Sequence, residues 1–234
     1  MTLVVDLHAV QYNVLMMRKL VLAITVFVMP AVLAYASNLQ FTPQGMMSWK
    51  ARSFKGHTQY KLAHSKQKIT LHAECNDSAS GLFLKQDIDL EATPIIEWEW
   101  RVDNVFAALK DERTKPGDDY PARIYVVKKN GLLPWRTRAI NYVWSSHMAK
   151  GSDWPNAFAS QAHMVAVRAG KPPEPGMWVT ERRNIREDFR RYHGIELREI
   201  DVVAIMTDCD NRSANAQAWY GAIRFLPAQV NRRN

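Results

Sequence analysis

Residues 95–102 read Ile95-Ile96-Glu97-Trp98-Glu99-Trp100-Arg101-Val102. Successive side chains of an extended strand point to opposite sides, so Ile96, Trp98, Trp100 and Val102 share one face and Glu97, Glu99 and Arg101 the other. The first face is apolar and bulky, which predicts a strand with one side on a core and one in water. The same period-two pattern recurs at 68–73, 82–87, 122–128, 140–145, 163–168, 177–182, 202–208 and 219–225. Turn signals separate these segments, among them Asn76-Asp77, Lys115-Pro116-Gly117-Asp118, Lys129-Asn130-Gly131 and Gly170-Lys171-Pro172-Pro173. Many strands without a strand-helix-strand rhythm predict an all-β, antiparallel two-sheet sandwich. One helix is expected over 185–192. Asn184 is its N-cap, Glu187 and Asp188 stand in the first turn, Ile185, Phe189 and Tyr192 share the inner face, and Gly194 ends it.

The chain has 234 residues, 47% hydrophobic and 23% charged, with a formal net charge of +8. This composition excludes a disordered, collagenous or cysteine-dense scaffold. Residues 16–36 combine the basic pair Arg18-Lys19, an apolar run from Leu20 to Met29, and Ala34-Tyr35-Ala36. That is the three-part pattern of a cleaved secretory signal peptide, and the alternative is an uncleaved N-terminal anchor. No cysteine stands at the cleavage point, which argues against a lipoprotein. Residues 1–36 are therefore read as extension and leader, and 37–234 as one β-sandwich domain, periplasmic or secreted. Beyond the leader nothing is apolar enough to span a bilayer. The remaining chain keeps 29 Lys+Arg against 22 Asp+Glu, a charge of +7. A basic exported protein faces anionic envelope polymers rather than nucleic acid, and no basic-aromatic single-strand motif appears. Cys75 and Cys209 either pair, as an oxidising compartment allows, or remain buried thiols.

Signatures of common hydrolases are missing: there is no G-x-S-x-G, no phosphate-binding glycine loop and no paired-histidine zinc motif. Four groups of polar residues carry candidate chemistry. In the first, Asp118 and Asp119 end a loop and Arg123 opens a strand on the face that also carries Tyr125. A guanidinium fork can pin either carboxylate, and the group fits a sugar hydroxyl, a cation or a plain structural salt bridge. Thr207-Asp208-Cys209-Asp210-Asn211 alternates oxygen donors as calcium requires, but needs backbone carbonyls or a second loop to complete a site, and reads equally as an Asx turn. Glu181 heads an arginine-rich run, with six arginines between Arg182 and Arg198, that fits either an anion clamp or a solvated helix face. Glu97 and Glu99 lie about 7 Å apart by strand geometry, which admits a glycosidase pair, or an ion-pair ladder with Arg101. Most tryptophans sit in apolar alternation and read as core. Trp135 and Trp154, each beside a proline, are the candidates for exposed stacking platforms.

Taken in order, 96–100, 117–125, Asn141-Tyr142-Val143-Trp144-Ser145, Glu181-Arg182-Arg183-Asn184 and 206–211 resemble the bacterial domain-of-unknown-function family 3047 over about Phe54 to Phe225. The resemblance implies an exported jelly-roll sandwich, similar to galactose-binding and carbohydrate-binding modules, with no catalytic residue to carry over. Two positions depart from that pattern. Cys209 stands where a threonine-like residue is expected, and Ala222 where an aspartate is expected. The combined expectation is a non-enzymatic sandwich that binds a glycan or envelope polysaccharide through Asp118, Asp119, Arg123, Glu181 and Asp208, with Tyr142 or Trp144 alongside. An envelope glycosidase or lyase, or a structural envelope protein without a small ligand, are the alternatives. No cofactor is required, calcium being the one candidate.

Overall fold

The computed structural model describes residues 38–64, 68–107, 110–131 and 136–228. The leader segment and Trp135 lie outside these residues. The chain runs through β1 (Leu39–Phe41), a one-turn helix α1 (Pro43–Met46), β2 (Lys50–Lys55), β3 (Gln59–His64), β4 (Ile69–Asn76), β5 (Ala79–Asp89) and β6 (Ile95–Val102). It continues through β7 (Arg123–Lys128), β8 (Arg138–Ser145), β9 (Asp153–Pro155), β10 (Ala162–Ala169), β11 (Val179–Asn184), α2 (Ile185–His193), β12 (Glu199–Asp208) and β13 (Asn215–Leu226).

Two sheets face each other in a jelly-roll β-sandwich. One has the order β11-β6-β13-β4-β3, with β1 added along β13, and the other the order β2-β5-β12-β7-β8-β10-β9. One pair departs from the antiparallel expectation: β10 runs parallel to β8. A parallel neighbour needs a crossover longer than a hairpin, and the segment between them supplies it by looping out through β9, which then pairs antiparallel with β10. Four strands escaped the period-two reading: β1, β2, β3 and β9. β2 shows why, because every residue from Lys50 to Lys55 is exposed, so this edge strand carries no apolar alternation.

The core forms where β6 faces β8. Trp98 and Trp100 are fully buried and meet edge to face at 5.3 Å, Trp98 stacks on Tyr142 at 5.3 Å, and Trp100 packs on Trp144 at 5.9 Å. An aromatic side chain buries 150–250 Å², worth about 4–6 kcal/mol each at ~25 cal/mol/Å². Helix α2 closes one end with the caps the sequence gives it. Asn184 accepts from the Glu187 amide at 3.3 Å, and Gly194 takes a left-handed φ of 66° while its amide satisfies the Arg190 carbonyl. Ile185 and Phe189 are buried beneath it.

Cys75 and Cys209 form a disulfide with a Cα–Cα distance of 6.2 Å. It ties β4 of one sheet to the loop after β12 of the other. Among the described residues no helix is long and apolar enough to cross a membrane.

Candidate functional site

The outward face of the seven-stranded sheet carries a cleft of about 400 Å³ lined by Asp118, Arg123, Tyr125, Asn141, Asn156 and Asp208. Phe54, Phe158, Met206, Asp210 and Asn211 complete its walls. The register explains why these side chains converge. Arg123 pairs across to Met206 on β12 and Val143 on β8, and two residues on Tyr125 pairs to Ala204 and Asn141. Equal steps of two keep Arg123, Tyr125, Asn141, Met206 and Asp208 on one surface.

Arg123 is the anchor of the polar floor. It is 3% exposed, and its Nε donates to Asp208 Oδ1 at 2.9 Å while Nη2 grips Asp208 Oδ2. The Tyr120 amide donates to the same Asp208 Oδ1 at 3.3 Å. Asp118 lies farther off, with its Oδ2 3.8 Å from Arg123 Nη1, and accepts from Asn156 Nδ2 at 3.1 Å. Arg123 thus forks onto Asp208 and holds Asp118 of its own loop more loosely, its Nη2 also donating to the Asp118 backbone carbonyl at 3.3 Å. Such forked charge-assisted bonds fix geometry as well as charge.

Asp119 is fully buried under the Asp210-Asn211 turn, where its Oδ1 accepts from the Asn211 amide at 3.1 Å. Its Oδ2 has no hydrogen bond among the described residues and faces Arg212 Nε at 3.8 Å. Burial raises the Asp118 carboxyl above its ordinary value, with Arg123 pulling the other way. Burial raises Asp119 as well, against the Asn211 amide. Asp119, Asp208 and Asp210 each place an oxygen within 4.8 Å of the others, so the second loop that a cation site would need is present. Two guanidinium groups, Arg123 and Arg212, already supply counter-charge there.

The other expected site residues stand elsewhere. Tyr142 is buried between the sheets and donates to Asp188 Oδ2 at 2.8 Å, while Arg183 grips the same carboxylate. Trp144 is 2% exposed, and its indole donates to the Gly170 carbonyl at 2.9 Å. Both follow Ile140 in steps of two, which commits them to the inner face. Glu181 lies on β11 of the opposite sheet and is held by Arg168. Glu97 is bridged by Arg224 at 3.3 Å and Glu99 by Lys68 at 3.0 Å, an ion-pair ladder on the six-stranded sheet. Trp154, expected as an exposed platform, is 4% exposed and packs with Tyr120, Val143 and Met164. Its β9 pairing with Met164, which is itself opposite Asn141, keeps the ring on the outer face of the sheet, where this separate cluster covers it.

The exposed aromatic platforms are phenylalanines that the sequence did not single out. Phe54 on β2 is 64% exposed and Phe158 is 57% exposed, and both line the cleft. Arg52 lies 4.8 Å from the Phe54 ring centroid, and Lys115 Nζ 5.4 Å from that of Phe158. Asn141 is missing from the expected set as well. It is 2% exposed, and its Oδ1 has no hydrogen-bond partner among the described residues. Its place opposite Tyr125 follows only from strand pairing. Phe54 sits in a strand with no readable period, so no local pattern marks it.

Fold and cleft together define a jelly-roll sandwich with a polar cleft rimmed by aromatic rings on one sheet. The chain belongs to the family described as protein of unknown function, DUF3047, whose model matches residues 47–224. No curated protein matches it in sequence. Among solved structures it is similar to a family 11 carbohydrate-binding module from Clostridium thermocellum in complex with a mixed-linked tetrasaccharide. That likeness has 12% identity and a TM-score of 0.45 over 83% of this chain and 98% of the module. It is also similar to a cellulase derived from that of Rhodothermus marinus, at 9% identity and TM-score 0.39 over 80% and 100% of the two chains. A winged bean acidic lectin complexed with methyl-α-D-galactose matches at 8% identity and TM-score 0.36 over 82% and 100%.

Proposed function

We propose that this protein is exported and binds a polysaccharide, without turning it over, in the cleft on the outer face of the seven-stranded sheet. The observation that carries the reading is the pair of rim phenylalanines. Phe54 and Phe158 are both more than half exposed and stand over one cleft. Exposed aromatic rings cost solvation unless something covers them, and the flat faces of sugar rings stack on such surfaces. Between them the floor offers acceptors and donors suited to hydroxyl groups: Asp118, Asn156, Asn211 and the unsatisfied Oδ1 of Asn141. Apolar walls with a few convergent polar groups are the usual make-up of a small-ligand pocket. Export is supported by the leader pattern at 16–36 and by the Cys75–Cys209 disulfide, a bond that persists in oxidising compartments.

The test is affinity electrophoresis of purified protein in gels containing a panel of soluble neutral and acidic polysaccharides, followed by calorimetry with oligosaccharides of any that retard it. Retardation by at least one polymer, abolished in Phe54→Ala/Phe158→Ala while the fold persists by circular dichroism, is the expected result. Mobility unchanged by every polymer removes the proposal. Shortening of the polymer during incubation, lost in Asp118→Asn, replaces binding with catalysis.

A further inference from the structure

Next to the polar cleft, and sharing Phe54 and Tyr125 with it, a second depression of about 540 Å³ runs across β2, β5, β12 and β7. Its floor is built from Phe83, Val127, Val202 and Ala204. Gly81 keeps that floor low beside Met206: a Cβ there would stand 2.6 Å from the Ile205 carbonyl oxygen. Three cations stand around this trough, Arg52 from β2, Lys85 from β5 and Lys129 from the end of β7, and among the described residues no carboxylate lines it. Among the described residues none of the three side chains has an ion-pair partner. The contrast with the adjacent residue is direct. Lys128 is held by Glu199 at 2.9 Å and Asp201 at 3.1 Å, whereas Lys129 meets Asp201 only through its backbone amide, and its side chain has no ion pair among the described residues.

Resting on the polysaccharide reading above, we propose that this trough is an anion subsite and that the polymer is acidic, carrying carboxylate or sulfate groups on its sugars. Three like charges held around one depression repel each other and gain from an anion that bridges them. Arg52 presents a planar donor fork suited to a carboxylate or sulfate, and it is oriented against the Phe54 ring at 4.8 Å. The apolar floor accepts the hydrophobic face of a ring whose charged substituent reaches the rim. The two depressions together cross β2, β5, β12, β7 and β8, roughly 19 Å at ~4.8 Å per strand spacing. A chain polymer that places hydroxyls over Asp118 and Asn141 and a charged group over Lys85 and Lys129 uses both. A lipid anion fits this surface less well, because its headgroup would meet the cleft carboxylates while its acyl chain lay in an open trough.

The experiment measures binding of purified protein to polygalacturonate, dextran sulfate, a neutral β-glucan and vesicles of phosphatidylglycerol. The variants are Lys85→Gln/Lys129→Gln and, as a control with the same loss of charge, Lys150→Gln/Lys171→Gln, whose side chains are exposed and line neither depression. The inference expects an acidic polymer to bind more tightly than the neutral one, with affinity falling as salt shortens the Debye length from ~10 Å at 0.1 M to ~3 Å at 1 M. It further expects Lys85→Gln/Lys129→Gln to weaken that binding about tenfold, roughly the worth of one charge-assisted contact, with the control unchanged. Equal losses in both double variants reduce the effect to the protein's overall charge and overturn the inference. Equal affinity for neutral and acidic polymers, untouched by either variant, overturns the anion subsite but leaves polysaccharide binding standing. Binding to vesicles without binding to soluble polymers replaces the polymer by a lipid, and silence with all four probes removes both proposals.

Discussion

Replacing Arg123 by methionine tests whether the polar floor is organised by one buried charge pair. Arg123 and Asp208 are 3% and 2% exposed, and Asp118 beside them is 4% exposed. Removing the guanidinium leaves the Asp208 carboxylate, among the described residues, with only the Tyr120 amide and takes from Asp118 its ion-pair partner. Stripping one partner from a buried pair costs about 3–5 kcal/mol, because the remaining charge stays desolvated. A domain of this size loses ~2–4 °C in Tm per kcal/mol, so Arg123→Met is expected to melt roughly 6–20 °C lower. The second half of the cycle isolates the pair. Asp208→Asn alone leaves Arg123 facing an amide, and Arg123→Met/Asp208→Asn removes both charges together. The double variant is therefore expected to lose less than the sum of the singles by about 1–3 kcal/mol. Urea unfolding followed by tryptophan fluorescence reads all four proteins, since Trp98 and Trp100 pass from full burial to water. Additivity within about 0.5 kcal/mol would show that the two groups do not act as a pair and would refute the reasoning.

Two further outcomes follow from the structure. The disulfide closes a sequence separation of 134 residues, which on the chain-entropy account is worth about 5 kcal/mol. Melting in reducing buffer, or of Cys75→Ala/Cys209→Ala, is expected roughly 10–20 °C lower, and a loss below about 1 kcal/mol contradicts it. Asp118 provides a pH signature. Its carboxyl is raised from 3.8 by burial, so the unfolded chain ionises it first. Its contribution to stability is therefore fully present below 3.8 and is lost as pH rises through the folded value. Asp118→Asn is expected to gain on the natural protein across that window, and the difference between the two is expected to stay constant above it. A stability difference that stays flat from about pH 3 to pH 7 refutes the assignment.

Strand periodicity made much of the molecule legible. The alternation at 95–102 gave β6 its inner tryptophans and outer glutamates, and Asn184 with Gly194 gave α2 both ends. The same alternation placed Arg123 and Tyr125 on one surface, where both line the cleft. Periodicity assigns residues to two faces but does not say which face is covered. On β8 the two sets are Ile140, Tyr142 and Trp144 against Asn141 and Val143, and only packing against β6 sends the tyrosine and tryptophan inward. For the same reason Trp154, beside a proline in loop-like sequence, turned out to be covered by its pairing with β10.

The amino-acid order by itself determined the all-β character, the positions of most strands, the capped helix and the residue types available for polar chemistry, because these depend on neighbours a few positions apart. The tertiary structure alone decided which carboxylate lies under which guanidinium. Arg123 and Asp208 are 85 residues apart and meet only because β7 and β12 pair in one register. It likewise brought the rim rings Phe54 and Phe158 together over one cleft, and among the described residues left the Lys85 and Lys129 side chains without an ion pair while giving Lys128 two carboxylates. Contacts between distant segments are set by sheet order and register, and no short stretch of sequence carries that information.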